Sequence, residues 1–171
     1  IVASMKHLFR ALLRRVKSLT RMKNASRHVL VGPAGAWKMK RDFQIRFLKE
    51  MQLRPEHYLL DIGCGTLRGG IPIIDYLLDG HYFGIESRAH ALDEGGKELT
   101  ESGLEEKNPT LLLCPDISLL TIDRKFDYIW AFSVLMHMTD KILDDTLDFV
   151  SNHLSEDGIV YANAKVHDTG T

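Results

Sequence analysis

A doubly wound α/β fold, with a mostly parallel sheet and helices on both faces, is what this 171-residue chain predicts. Three observations predict it. Short apolar runs without polar alternation recur after residue 58, as expected of strands buried on both faces. Segments of helical length separate them, which argues for βαβ crossovers of one hand. A glycine-rich turn follows the first apolar run, the place where such sheets bind their ligands.

The elements follow in order. Met5, Leu8, Phe9, Leu12, Leu13, Val16 and Leu19 recur at three- and four-residue intervals, which predicts an amphipathic helix over 5–19. Lys6, Arg10, Arg14 and Lys17 form its other side. Gly32, Pro33 and Gly35 mark 24–35 as a connection. A second helix is expected over 39–51, with Phe43, Phe47, Leu48 and Met51 as its buried face and Arg54-Pro55-Glu56 as its stop. The strands are expected at 58–62, 82–86, 110–114, 126–132 and 159–163. Between them fall helices that run from the glycine turn to about 78, over 89–102, and over 139–154. Pro72 is tolerable early in its helix, where amides lack intrahelical partners anyway. Gly95-Gly96 weakens the next helix, and Thr139 is a plausible N-cap for the last.

Composition bounds the function. The chain has 44% hydrophobic and 26% charged residues, ordinary values for a globular domain. Two cysteines, Cys64 and Cys114, are too few for a disulfide framework, so a reducing, cytoplasmic setting is expected. The histidines form no His-x-x-x-His pair, so no metal site is expected. A formal charge of −1 hides an asymmetry. Residues 1–41 hold eleven Lys/Arg and no acid, so the other 11 basic and 23 acidic side chains leave the rest at −12. We therefore divide the chain into a basic arm and connection (1–35) and a ligand-binding domain (36–171). The arm suits packing on the domain, an anionic membrane surface or a partner.

The stretch Leu59-Leu60-Asp61-Ile62-Gly63-Cys64-Gly65-Thr66-Leu67-Arg68-Gly69-Gly70 carries the most information. Gly63 and Gly65 let a ligand approach the backbone, and Gly69 would let the next helix pack close to the sheet. Glu86 lies twenty-one residues beyond Gly65 at the end of the second strand, placed to accept from ribose hydroxyls. These features imply an adenosine-containing cofactor. The spacing Gly-x-Gly-x-x-x-Gly is one residue longer than the dinucleotide fingerprint. Asp61, two positions before Gly63, suits a ligand with an ammonium group and is unhelpful beside a pyrophosphate.

Residues 59–66 resemble motif I of class I S-adenosylmethionine-dependent methyltransferases, of the small-molecule branch and Rossmann-like fold. Tyr82-Phe83-Gly84-Ile85-Glu86 resembles their second-strand acidic motif. Cys114-Pro115-Asp116-Ile117 is similar to the segment after their third strand, and 126–137 to their fourth-strand motif. The resemblance covers about 58–163. It implies that Asp61, Gly63 and Gly65 hold the methionine end of the cofactor, with Cys64 a small residue of the same cofactor-binding turn. Glu86 would hold the ribose, with Ser87 beside it in the cofactor-binding set, and Asp116 would meet the adenine amino group with Ile117 on the ring. Phe132, Ser133 and His137 would border the methyl-transfer site, with His137 the candidate base. Arg68 would meet a carboxylate or a substrate anion, and Trp37 a sulfonium. S-adenosylmethionine would be the cofactor and S-adenosylhomocysteine the product.

A small-molecule acceptor is expected. Nucleic acid is unlike the acidic body, and no Asn-Pro-Pro-Tyr motif follows the fourth strand. A non-catalytic cofactor-binding or scaffolding domain is the alternative. A nicotinamide enzyme fits neither Asp61 nor the glycine spacing. The resembled fold continues for two more strands, so the chain is expected to be a fragment.

Overall fold

A computed structural model describes Arg27 and residues 29–163. The predicted helix over 5–19, with most of the basic arm, lies outside the described residues. Five strands form one all-parallel sheet in the order β3-β2-β1-β4-β5: β1 Leu59–Ile62, β2 Tyr82–Glu86, β3 Thr110–Leu113, β4 Phe126–Ala131 and β5 Leu154–Ala162. Four α-helices lie wholly among the described residues: α1 Trp37–Glu50, α2 Gly70–Tyr76, α3 Ala89–Glu101 and α4 Asp140–His153.

Chain order reverses between β1 and β4, which opens a crevice at their carboxyl ends. Side chains alternate across β1. Leu59 joins a core with Leu48 of α1, Ile73 of α2, Leu99 of α3, Tyr82 and Trp130. Leu60 and Ile62 join a second core with Ile85, Ile129 and the α4 residues Phe149 and Val150. Helices thus cover both faces, as the unalternating strands predicted. No helix of the described residues is long and apolar enough to cross a membrane.

Several boundaries differ from the sequence reading. The buried residues of α1 are Trp37, Gln44 and Leu48, while Phe43 is 37% exposed. The stripe turns away from Phe43 because Gln44 finds an indole donor in the core: Trp130 Nε1 donates to its Oε1 at 2.9 Å. Helix α1 ends at Glu50, ahead of Pro55, where Gln52 is left-handed and Leu53 N–H returns to the Leu48 carbonyl. Thr139 stands at the N-cap of α4 without a side-chain capping bond. Strand β5 begins at Leu154, directly after α4, and a register shift separates that pairing from the 159–162 stretch.

Candidate functional site

A cavity of about 590 Å³ opens at the crevice. The turn after β1, the end of β2 and the segment after β4 each contribute a wall, and Lys40 and Gln44 of α1 contribute a fourth. The turn needs glycine. Gly63 and Gly65 have φ of 70° and 59°, and a Cβ on Gly63 would lie 2.5 Å from Val134 Cγ2. Gly69 plays a different part from the one expected. Its missing side chain admits the Gln44 amide of α1, at 2.4 Å from an added Cβ. Gly70 is the residue that lets the helix approach the sheet, since its Cβ would meet the Tyr82 hydroxyl. Gly95 is likewise a close approach, of α3 onto the glycine turn, and Gly96 faces open space.

Two carboxylates line the cavity, each 4% exposed. Asp61 Oδ2 accepts from the Tyr82 hydroxyl at 2.6 Å. Burial pushes its carboxyl up to about 7; the Tyr82 bond and the charge of Arg68 oppose this, and Glu86 adds to it. Glu86 moves the other way. Burial raises it too, but hydrogen bonds from Arg88 and Gly65 win and hold it below the usual carboxylate range. Its Oε2 accepts from Gly65 N–H at 2.9 Å. Its Oε1 accepts from Arg88 N–H at 3.0 Å and from Arg88 Nε at 2.9 Å.

Arg68 lines the cavity and is 7% exposed. It donates from Nη1 to the Val31 carbonyl at 2.7 Å, while its buried Nε has no partner among the described residues. Burial lowers its pKa. The Cys64 thiol also lines the cavity, and burial pushes it far up, so it stays protonated. Phe132 stacks on Trp130 with ring centroids 5.6 Å apart. Ser133 has φ of 60°, and its N–H donates to the Asn163 side chain. This left-handed turn sends the chain after β4 along the cavity mouth, where exposed His137 sits.

The cavity thus brings together Asp61, Gly63, Cys64, Gly65, Arg68, Glu86, Ser87, Phe132, Ser133 and His137. Three expected residues do not line it. Trp37 is buried, and the Arg41 guanidinium lies 5.3 Å from its ring centroid, so that cation meets the indole. Asp116 is exposed and caps a short 3-10 turn, accepting from Ser118 N–H at 3.0 Å and its hydroxyl at 2.7 Å. Ile117 packs into the second core. Tyr161 begins a Tyr-x-x-x-Lys spacing that a nicotinamide enzyme could use, but it lies on β5, edge-on to Phe47 and away from the cavity.

Sequence reasoning missed the cavity roof. Leu30, Val31, Gly32 and Pro33 form it, within the stretch read as a connection. Arginines hold it down. Arg88 Nη1 donates to the Leu30 carbonyl at 3.1 Å, beside the Arg68 bond to Val31. Arg27, 2% exposed, pairs with Glu94, Glu98 and Glu101 of α3. Val31 lies over the glycine turn, so a Cβ on Gly65 would come within 2.8 Å of its Cγ1. Among the described residues no cluster of side chains could hold a metal ion.

A family model described as a methyltransferase domain matches residues 60–160, more than half of the chain. The chain belongs to this family. The match spans β1 to β5 and every carboxylate-bearing wall of the cavity. Solved structures share the fold. A S-adenosylmethionine-dependent methyltransferase from Clostridium acetobutylicum is 25% identical, with TM-score 0.59 over 86% of this chain and 56% of that one. Magnesium protoporphyrin IX methyltransferase from Synechocystis, with bound SAM, is 19% identical, with TM-score 0.57 over 68% of this chain and 54% of that one. The glycopeptide N-methyltransferase MtfA is 17% identical, with TM-score 0.61 over 71% of this chain and 52% of that one. This methyltransferase domain spans about half the length of those proteins. No curated protein matches its sequence.

Proposed function

We propose that this domain binds S-adenosylmethionine and serves methyl transfer to a small-molecule acceptor, with S-adenosylhomocysteine as product. The observation that carries the reading is the pair of buried carboxylates, Asp61 and Glu86, facing one cavity across a glycine turn. The residues fit such a ligand. A Cβ would fill the backbone cradle at Gly65, and the Arg68 Nε is a buried donor without a partner among the described residues. Asp61 would take the ammonium group and Arg68 the carboxylate of the methionine end. Glu86 would accept from the ribose hydroxyls in place of its bonds from Arg88. Asp116 and Ile117, in the turn after β3 and outside the cavity lining, would meet the adenine only where it reaches beyond the cavity.

When bound, the cofactor supplies a methyl group already activated by its positive sulfur. The chain therefore has to align the acceptor and keep water out, which is catalysis by proximity. Phe132 and the roof, Leu30 to Pro33, would shield the bound cofactor from water on two sides. Ser133 and His137 stand at its mouth, where an acceptor would enter, and His137 is the group to take a proton where the acceptor must lose one. A cytoplasmic setting suits the two free thiols, Cys64 and Cys114.

Calorimetric titration with S-adenosylmethionine, S-adenosylhomocysteine and NAD tests the reading. Micromolar binding of the first two, and none of NAD, is expected. A folded chain that prefers NAD, or binds none of the three, would overturn it.

A further inference from the structure

The residue spent on Asp61 is Tyr82. Its side chain is 1% exposed, and its hydroxyl donates to Asp61 Oδ2 at 2.6 Å. Parallel register pairs Leu59 with Tyr82 and Asp61 with Gly84, so the tyrosine starts one pleat behind the aspartate and must lean forward along the strand. Two glycines make the room. A Cβ on Gly84 would lie 3.1 Å from Tyr82 Cε1, and one on Gly70 would lie 2.6 Å from the Tyr82 oxygen. Three positions on two elements thus serve one contact. A phenylalanine would fill the core equally well; only the hydroxyl needs this slot. Among the described residues nothing donates to Asp61 Oδ1.

We propose that Tyr82 is a positioning residue, which favours the ionised form of Asp61 and turns its carboxylate so that Oδ1 faces the cavity to receive the ammonium group of the cofactor. The proposal rests on the cofactor reading above. The physical reason lies in the surroundings of Asp61. Burial and the Glu86 charge disfavour its ionised form, and the Tyr82 hydrogen bond with the charge of Arg68 favours it. The protonated Cys64 also faces it from the glycine turn. Lys40 of α1 and His137 after β4 line the same cavity. A hydrogen bond from a neutral hydroxyl stabilises the carboxylate without cancelling its charge. A cation in that place would satisfy Asp61 and leave little attraction for a ligand ammonium.

The test is Tyr82→Phe, which keeps the ring in its slot. S-adenosylhomocysteine and 5′-methylthioadenosine, which lacks the amino-acid part, are titrated against both proteins from about pH 5 to about pH 9. In the wild type the first ligand should bind more tightly as Asp61 ionises. In Tyr82→Phe the midpoint of that rise should move up by about one to two pH units. The affinity near neutrality then falls roughly tenfold, and the gap closes at high pH. Methylthioadenosine should bind both proteins alike. The Asp61 carboxyl carbon, followed by NMR without ligand, should titrate higher in the variant by the same amount.

An unmoved Asp61 titration overturns the proposal. So does an equal loss for both ligands at every pH, which marks a packing role. A folded wild-type protein that binds no S-adenosylhomocysteine at any pH overturns the cofactor reading itself, and the proposal falls with it.

Discussion

Asp61 and Glu86 stand at the ends of neighbouring strands, on one face of the sheet, equally buried. One has its carboxyl raised and the other lowered. Burial pushes both up, so burial does not separate them. Their partners do. Asp61 receives one hydrogen bond from a neutral hydroxyl. Glu86 receives two backbone N–H groups and a guanidinium. A carboxylate with an underused charge is stored at Asp61, and a satisfied one at Glu86. The pair shows that one cavity can hold two acids of opposite disposition on adjacent strands, set by what donates to each.

The strongest way to break the comparison is Asp61→Asn. A folded pKa of about 7 lies above the ordinary 3.8, so ionising Asp61 costs the folded state. That cost is absent below pH 3.8, grows as pH rises and is complete above about 7. The ligand-free variant should gain up to about 4 kcal/mol of stability near pH 8, seen as a rise in Tm over the wild type that shrinks on acidification. A Tm difference that stays flat with pH would contradict the assignment. Glu86 carries the opposite sign. Its depressed pKa stabilises the fold above its unfolded value, and this is lost as pH falls through the folded value, in the acid range.

Next comes Glu86→Ala, which leaves Gly65 N–H and Arg88 without their acceptor. S-adenosylhomocysteine affinity should drop by about 3 kcal/mol, roughly a hundredfold, in calorimetry. Retained affinity would show that the ribose is held elsewhere. Gly63→Ala should cost about 2 kcal/mol in chemical denaturation, through its left-handed φ and the Val134 contact. An unchanged denaturation midpoint would mean that Val134 moves freely.

Arg88→Met sharpens the contrast more gently. It removes the guanidinium from Glu86 and from the Leu30 carbonyl. The Glu86 carboxyl should titrate higher in the variant, by a shift readable in carboxyl NMR. The exposed arginine is screened by solvent, so stability should fall by at most about 1 kcal/mol. The smallest effect belongs to His137→Ala. Binding of S-adenosylhomocysteine should stay within about twofold, since His137 is exposed at the mouth. A large loss of affinity would move it into the cofactor site.

The amino-acid sequence by itself determined the sheet and the cavity walls formed by the glycine turn and the end of β2. Strand β2 falls where its apolar run predicts, and β1, β3 and β4 differ by a residue at one end. The central strands β1, β2 and β4 are buried on both faces, so their sequence carries the signal locally. The glycine turn and Glu86 were legible for a similar reason: close backbone approach demands glycine at positions that chain order alone specifies. Only the tertiary structure decided the rest. The roof over 30–33, the Gln44 amide against Gly69, the Arg88 hold on Glu86 and the slot for Tyr82 are contacts of side chains with no period between them. Gln44 looks like a solvated helix residue until Trp130, 86 positions on, offers its indole N–H. Trp37 looks like a cavity aromatic until α1 turns it inward and Arg41 covers its face. Polar partners are chosen by geometry across the fold, whereas apolar pattern and backbone sterics are written residue by residue along the chain.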